Sequence, residues 1–224
     1  MVPVMSLWMP ILLSAVLVFL VSSVIHMLLG YHNSDVATVP GEEQVRAALR
    51  DVPPGDYAVP HAGSMAGMKS PEFVEKMTKG PVVFLTVRPK GPVTMNKSLA
   101  LWFLYSVLVS VFAGYVAGRA LGPGAAYLDV FRFAGTTAFA GYGLALLQGS
   151  IWWGRKWSTT LKSVFDALVY GLVTAGGFGW RRPPPWGEPP RAPPGPPPPG
   201  TPRGPPPPPR GGAARRAPPP PFPA

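Results

Sequence analysis

The chain of 224 residues has no cysteine and few charged side chains. Without cysteine it can form neither a disulfide framework nor a thiolate metal site. Charged residues make up 13% of the chain, about half the share that is usual in globular proteins. They are grouped, so that long uncharged runs alternate with charged segments, a distribution that argues against an ordinary soluble domain.

Signatures of catalysis and of cofactor binding are also missing. The sequence has no P-loop, no dinucleotide fingerprint and no HExxH motif, and its Gly-Ser pairs lack the G-x-S-x-G context of a nucleophile elbow. Of the 3 histidines, only His26 lies in an apolar run, whereas a membrane haem normally takes two facing histidines; His32 and His61 lack metal-ligand spacing. We therefore predict that the protein is not an enzyme and carries no cofactor and no metal.

What the chain does have is four long apolar runs. A helix needs about 20 apolar residues to cross the hydrocarbon core, and backbone amides in lipid are satisfied within helices. Tryptophans lie near the ends of these runs, as expected at the headgroup level. The predicted transmembrane helices are residues 7–29, 98–118, 133–154 and 161–180.

A cleaved signal peptide is the competing interpretation of the first run. Residues 1–6 carry no basic side chain and the apolar stretch is long for a signal peptide. These two features favour an uncleaved anchor.

The second run carries small residues at every fourth position. A stripe of this kind lets two helix backbones approach closely. It predicts packing inside the bundle, with a homodimer face as the alternative. The stripe consists of Ser106, Ser110, Gly114, Gly118 and Gly122.

The segment 30–97 is mixed in charge and predicts a small α+β subdomain outside the membrane. Residues 40–52 have the apolar spacing of a short helix, and Ser70-Pro71 followed by Gly80-Pro81 marks the ends of another. Residues 82–87 read as a strand, with 93–95 as a return strand.

Residues 181–224 form a tail in which 22 of 44 residues are proline. Such a segment cannot bury enough apolar surface to fold, so we predict a disordered, proline-rich tail. Its Pro-x-x-Pro runs resemble ligands of aromatic-grooved modules. The alternative is a frameshift through GC-rich DNA, which also produces Pro, Gly, Ala and Arg.

One acidic residue, Asp166, lies inside a predicted span, and Lys162 precedes it by four residues. Buried acids in membranes are candidates for proton or ion pathways. Residues four apart share a helix face, however, and the lysine can extend to the interface. We predict an intramembrane charge pair, Lys162 with Asp166, with the pathway role left open.

Three stretches resemble a family of uncharacterised bacterial inner-membrane proteins over about residues 5–180. They read SPEFVEKMTKGP, FAGYVAGRALGPGAAYLDVFRFAGTTAFAGYGLAL and SIWWGRKWSTTLKSVFDALVYGLVTAGGFGW. The resemblance implies a multi-pass protein of the cell inner membrane and brings no catalytic residues. In that family the chain ends soon after residues 178–180, which implies that the tail is an extension or a frameshift.

Together these features predict an all-α integral membrane protein with four transmembrane helices, an α+β loop subdomain and a disordered tail. The expected function is that of a non-enzymatic scaffold, assembly factor or accessory subunit. A small oligomeric transporter or channel is the alternative, with Asp166, Gln148, Thr136 and Thr137 as its polar route. The expected partners are the lipid bilayer and either further copies of the chain or other membrane proteins. No nucleic acid is expected, since most of the net charge of +10 belongs to the tail.

Overall fold

In the computed structural model, residues 1–92 and 94–180 are described, and they are mostly helical. Seven α-helices and two strands lie in this part of the chain. The helices are α1 (Trp8–Leu28), α2 (Glu42–Ala48), α3 (Pro71–Lys79), α4 (Asn96–Ala120), α5 (Tyr127–Gly143), α6 (Leu147–Trp153) and α7 (Trp157–Gly179). The strands are β1 (Gly55–Val59) and β2 (Val83–Val87). The predicted tail, 181–224, lies outside the described residues.

Four helical segments are long and apolar enough to cross a membrane: Val4–Leu28, Asn96–Ala120, Tyr127–Trp153 and Trp157–Gly179. The existence of four such helices confirms the sequence prediction. The third begins six residues before the predicted start and the fourth begins four residues before it. The predicted third span began after Arg132, but charged residues in the first turns of α5, Asp129 and Arg132, do not interrupt that helix. The fourth helix also includes the polar residues 158–160, which the prediction placed in the connection.

Small residues fill the interior of the bundle and large apolar residues cover its exterior. Six alanines, from all four long helical segments, are completely buried: Ala15, Ala113, Ala117, Ala134, Ala138 and Ala175. Many large side chains on the same helices are exposed, and the following are each at least 44% exposed: Leu20, Leu104, Leu108, Phe112, Leu168 and Leu172. Water would penalise such a surface, whereas lipid favours close packing of small residues inside and apolar groups outside. The distribution is compatible with a membrane protein.

The small-residue stripe on α4 faces the interior of this bundle. Ser106, Ser110, Gly114 and Gly118 are buried in the single chain. A Cβ atom on Gly114 would lie 3.2 Å from the Phe178 ring of α7 and 3.6 Å from Ile11 of α1. The fifth position departs from the prediction, because Gly122 lies beyond the end of α4 and is exposed.

Gly118 shows why a glycine is needed at the end of the stripe. The N–H of Val2 donates to the Gly118 carbonyl at 2.8 Å, and a Cβ on Gly118 would lie 2.6 Å from the carbonyl oxygen of Val2. The N-terminal segment therefore runs directly against the backbone of α4. These contacts bury the first four positions of the stripe within the chain. The homodimer face stays a prediction.

We predict that Gly114→Leu lowers stability by about 1 kcal/mol, the lower end of the range for overpacking. The atoms in its way belong to the Phe178 and Ile11 side chains, which can yield in part. The measurement is the melting temperature of the purified protein in detergent. Leu108→Ala is the control, because Leu108 is 51% exposed on the same helix. A Gly114→Leu protein that melts like the parent, beside a destabilised Leu108→Ala protein, would contradict the packing role.

The loop between α1 and α4 contains a two-stranded antiparallel sheet. β1 pairs with β2 so that Tyr57 faces Leu85 and Val59 faces Val83. The predicted return strand at 93–95 is wrong at its described positions, since residues 94 and 95 are not in a strand and α4 begins at Asn96. The partner of β2 is β1, which comes earlier in the loop, and α3 lies between the two strands in the sequence.

The second loop helix, α3, begins where the sequence predicted. The Ser70 hydroxyl accepts a hydrogen bond from the Phe73 N–H at 3.2 Å, and Pro71 occupies the first helical position. Gly80, with φ of 62°, ends the helix. At the other side of the loop, the Phe84 ring meets Trp153 edge to face with centroids 5.2 Å apart. The sheet therefore rests on the turn between α6 and α7.

Candidate functional site

A cluster of polar side chains lies at the loop end of the bundle, where three elements of the chain meet. α1 contributes His26 in its last turn, and α7 contributes Lys162 and Asp166. Between them, a short 3-10 helix at Tyr31–Ser34 crosses the end of the bundle. It follows Gly30, whose φ of 63° turns the chain back after α1, a conformation that glycine adopts without strain.

Asp166 is the innermost member of the cluster and is 3% exposed. The Tyr31 hydroxyl donates a hydrogen bond to its Oδ1 atom. The His32 Nε2 atom lies 2.8 Å from its Oδ2 atom. Both carboxyl oxygens are therefore contacted by the 3-10 helix, as the high cost of burying a carboxylate requires.

Asp35 forms the outer part of the cluster. Its Oδ2 atom lies 2.6 Å from His32 Nδ1, and its Oδ1 atom accepts a hydrogen bond from Lys162 Nζ at 2.9 Å. The hydrogen bond from Lys162, and after it the one from His32, lowers the pKa of Asp35 to about 2. Asp35 is therefore a carboxylate at neutral pH, and the His32 Nδ1 atom facing it carries a hydrogen.

Lys162 binds the segment after α1 rather than Asp166. Its Nζ atom donates to the Tyr31 carbonyl at 2.6 Å and to the Ser34 hydroxyl at 2.8 Å, besides Asp35. Within the described residues 94–180, no ion pair joins Lys162 to Asp166, which corrects the predicted charge pair. Lys162 and Asp166 do lie on one face of α7, as their spacing predicts. The 3-10 helix at Tyr31–Ser34 packs on that face and provides hydrogen-bond partners for both side chains.

His26 completes the cluster from the side of α1. Its ring lies 4.6 Å from the His32 ring, centroid to centroid, and its Nε2 atom lies 3.4 Å from the Tyr170 hydroxyl. His26, His32 and Asp166 each offer a potential metal-ligand atom, and these atoms all lie within 4.8 Å of one another. His26 is exposed, whereas Asp166 is buried.

Aromatic side chains lie beneath the cluster, toward the middle of the bundle. Tyr170 follows Asp166 by one helical turn, and its ring packs against Trp102 and Tyr142 with centroids 5.8 and 5.5 Å apart. Tyr105 closes the group and donates a hydrogen bond to the Gly141 carbonyl at 2.6 Å. These rings pack against one another next to the polar cluster.

The other candidates for a polar route do not join Asp166. Thr136 and Gln148 are exposed on the surface of the bundle. The Thr137 hydroxyl donates to the Phe133 carbonyl of its own helix at 2.8 Å. Of the four residues proposed for such a route, only Asp166 faces the interior of the chain.

Tyr31, His32 and Asp35 were not among the site residues predicted from the sequence. One sequence signal could have indicated them. The titratable residues of YHNSD follow directly after an apolar run, and a buried acid elsewhere in the chain requires partners. The separation of more than 120 residues from Lys162 and Asp166 hid the connection.

Comparisons of the chain with protein-family models, with curated proteins and with solved structures each give no match. The fold defines a class, a bundle with four long helical segments and an apolar exterior compatible with a membrane protein. Its distinguishing feature is the cluster of His, Asp, Lys and Tyr at the loop end.

Proposed function

We propose that the protein is a multi-pass component of the bacterial inner membrane that acts as a non-enzymatic scaffold, assembly factor or accessory subunit. The membrane location is supported by the four apolar helices and their exposed large side chains. The assignment to the bacterial inner membrane rests on the resemblance of residues 5–180 to a family of uncharacterised inner-membrane proteins. The scaffold role rests on how the loop is held.

The observation that carries the scaffold role is the attachment of the loop to the bundle. Lys162 donates to three acceptors within residues 31–35, and the Asp166 carboxyl is hydrogen-bonded by the same segment. At the other side, Phe84 packs against Trp153. The loop is thus held at both sides on the end of the bundle. A loop attached in this way would lose less entropy on binding a partner than a free segment would.

The oligomeric transporter is the alternative, and the monomer offers it little support. The interior between α5 and α7 is closed, since a Cβ on Gly135 would lie 2.8 Å from Ala175. Thr136 and Gln148 lie outside. A polar route would then have to form between copies of the chain.

The test is affinity purification of the full chain from native membranes after mild detergent extraction. We expect other membrane proteins to copurify in fixed ratio with the parent. Lys162→Met should reduce their recovery while insertion is retained, because the segment 31–35 loses its attachment. Lys156→Met is the matched control, since Lys156 is exposed just before the same helix. A chain recovered only as copies of itself, from parent and variants alike, would contradict the scaffold and support the transporter.

A separate prediction concerns orientation. Six basic residues flank the predicted spans on the loop side, among them Arg155, Lys156 and Lys162, against two on the other side, Arg119 and Arg132, apart from the tail. The positive-inside rule then places the loop in the cytoplasm. A cysteine introduced at Met65, which is 73% exposed in the loop, should be protected from an impermeant thiol reagent in whole cells. The native chain has no cysteine to interfere, and rapid labelling of intact cells would reverse the orientation.

A further inference from the structure

We propose that His26, His32 and Asp166 bind one divalent transition-metal ion of the zinc class at the loop end of the bundle. This site is independent of the scaffold role. Two imidazole nitrogens and one carboxylate oxygen form a ligand set that suits Zn²⁺ and its neighbours. The three side chains come from different parts of the chain and offer ligand atoms within 4.8 Å of one another.

The tautomer of His32 leaves its Nε2 atom free to bind a metal ion. Its Nδ1 atom faces the Asp35 carboxylate at 2.6 Å, so Nδ1 carries the hydrogen and a neutral ring has its lone pair on Nε2. That lone pair faces the Asp166 Oδ2 atom at 2.8 Å. A carboxylate that holds a histidine in this way is the usual partner of a metal-binding imidazole.

The charge of the Asp166 carboxylate also favours a bound cation. Lys162 neutralises Asp35, but within the described part of the chain no lysine or arginine pairs with Asp166. An ionised Asp166 facing the lone pair of His32 would be a buried, uncompensated charge, which is costly. A cation bound to both atoms, after a small increase in their 2.8 Å separation, removes this cost. A proton supplies one positive charge. A divalent ion supplies two and can also bind His26.

His26 lies where it can provide a third ligand. Ligand atoms around tetrahedral zinc lie about 3.4 Å apart, as follows from metal–ligand bonds of about 2.1 Å. The His32 Nε2 and Asp166 Oδ2 atoms, 2.8 Å apart, must therefore separate slightly, while the longer separations in the cluster, up to 4.8 Å, must shorten. His26 can make this movement because its side chain is exposed and its single polar contact in the described residues is the 3.4 Å approach to Tyr170. The fourth position is open to water or to the Tyr31 oxygen, which already lies against Asp166.

The experiment titrates the purified full chain, in detergent and without a histidine tag, with Co²⁺ and then with Zn²⁺. We expect one Co²⁺ per chain with the visible absorption of four-coordinate cobalt, displaced by one Zn²⁺. His26→Asn should weaken binding at least about 100-fold, since even the partners of metal ligands change affinity about 10–100-fold. His61→Asn is the matched control, because His61 is the remaining histidine and lies in the loop.

The choice of an exposed residue for substitution separates loss of metal binding from loss of folding. His26 is exposed, so His26→Asn should melt like the parent when a chelator is present, and only the parent and His61→Asn should melt higher after Zn²⁺ is added. The proposal is overturned if the parent binds no Co²⁺ in one-to-one ratio. It is also overturned if His26→Asn binds as tightly as the parent, or if His61→Asn is the variant that loses binding.

Discussion

Replacing Gly171 with leucine should destabilise the bundle by about 3 kcal/mol, the upper end of the range for overpacking. Gly171 lies on α7 where it meets α5. A Cβ atom there would lie 3.1 Å from Phe139 Cβ and 3.2 Å from both the Gly135 carbonyl oxygen and the Phe139 backbone nitrogen. Backbone atoms of a helix cannot move aside individually, so the two helices must separate. The measurement is the melting temperature in detergent.

The same helix provides a matched control for this prediction. Gly176 lies five residues further along α7, and a Cβ atom on it would meet nothing within 4 Å. Gly176→Leu therefore carries the same change in helix propensity and in hydrophobicity without the collision. If the two variants melt together, close contact between α5 and α7 is not what stabilises this part of the bundle.

The second large effect is expected from the polar cluster. Asp166→Ala removes the hydrogen-bond partners of the Tyr31 hydroxyl and of His32 Nε2, and it leaves a void at a position that is 3% exposed. Each buried polar group left without a partner costs about 1–3 kcal/mol. We therefore expect a loss of stability of that order, measured by thermal unfolding with a chelator present so that metal binding does not contribute.

Asp129→Ala is the control for this variant. Asp129 is also an acid on an apolar helix, but its side chain is 50% exposed and its distance to Arg132 is 3.9 Å. Exposed ion pairs of this kind contribute about 1 kcal/mol or less. Equal melting temperatures for Asp166→Ala and Asp129→Ala would show that the cluster does not hold the loop to the bundle.

The helices were the most predictable part of the fold. An apolar run of sufficient length must form a helix in lipid, because the backbone has no other hydrogen-bond partners there. The cap at Ser70 was predictable for a similar local reason, since its hydroxyl bonds within the same turn. The hairpin was not, because the pairing of Gly55–Val59 with Val83–Val87 depends on segments separated by a helix.

The stripe on α4 was predicted in part. The period of four placed its residues on one face, and the structure buries that face from Ser106 to Gly118. Which helices it meets was not predictable, since several spans carry small residues. The contacts with Ile11 and Phe178 arise from the order in which the helices surround α4.

The sequence by itself determined that the chain has four membrane-length helices, a separate polar loop and a buried acid that needs partners. These properties follow from hydrophobicity and helix period, which act within one segment. Only the tertiary structure decided that Lys162 holds Asp35, and that Asp166 faces His32 and Tyr31. Such pairings depend on the return of the chain after Gly30 and on the packing of α1 against α7. They depend on contacts more than 100 residues apart, which no local pattern encodes.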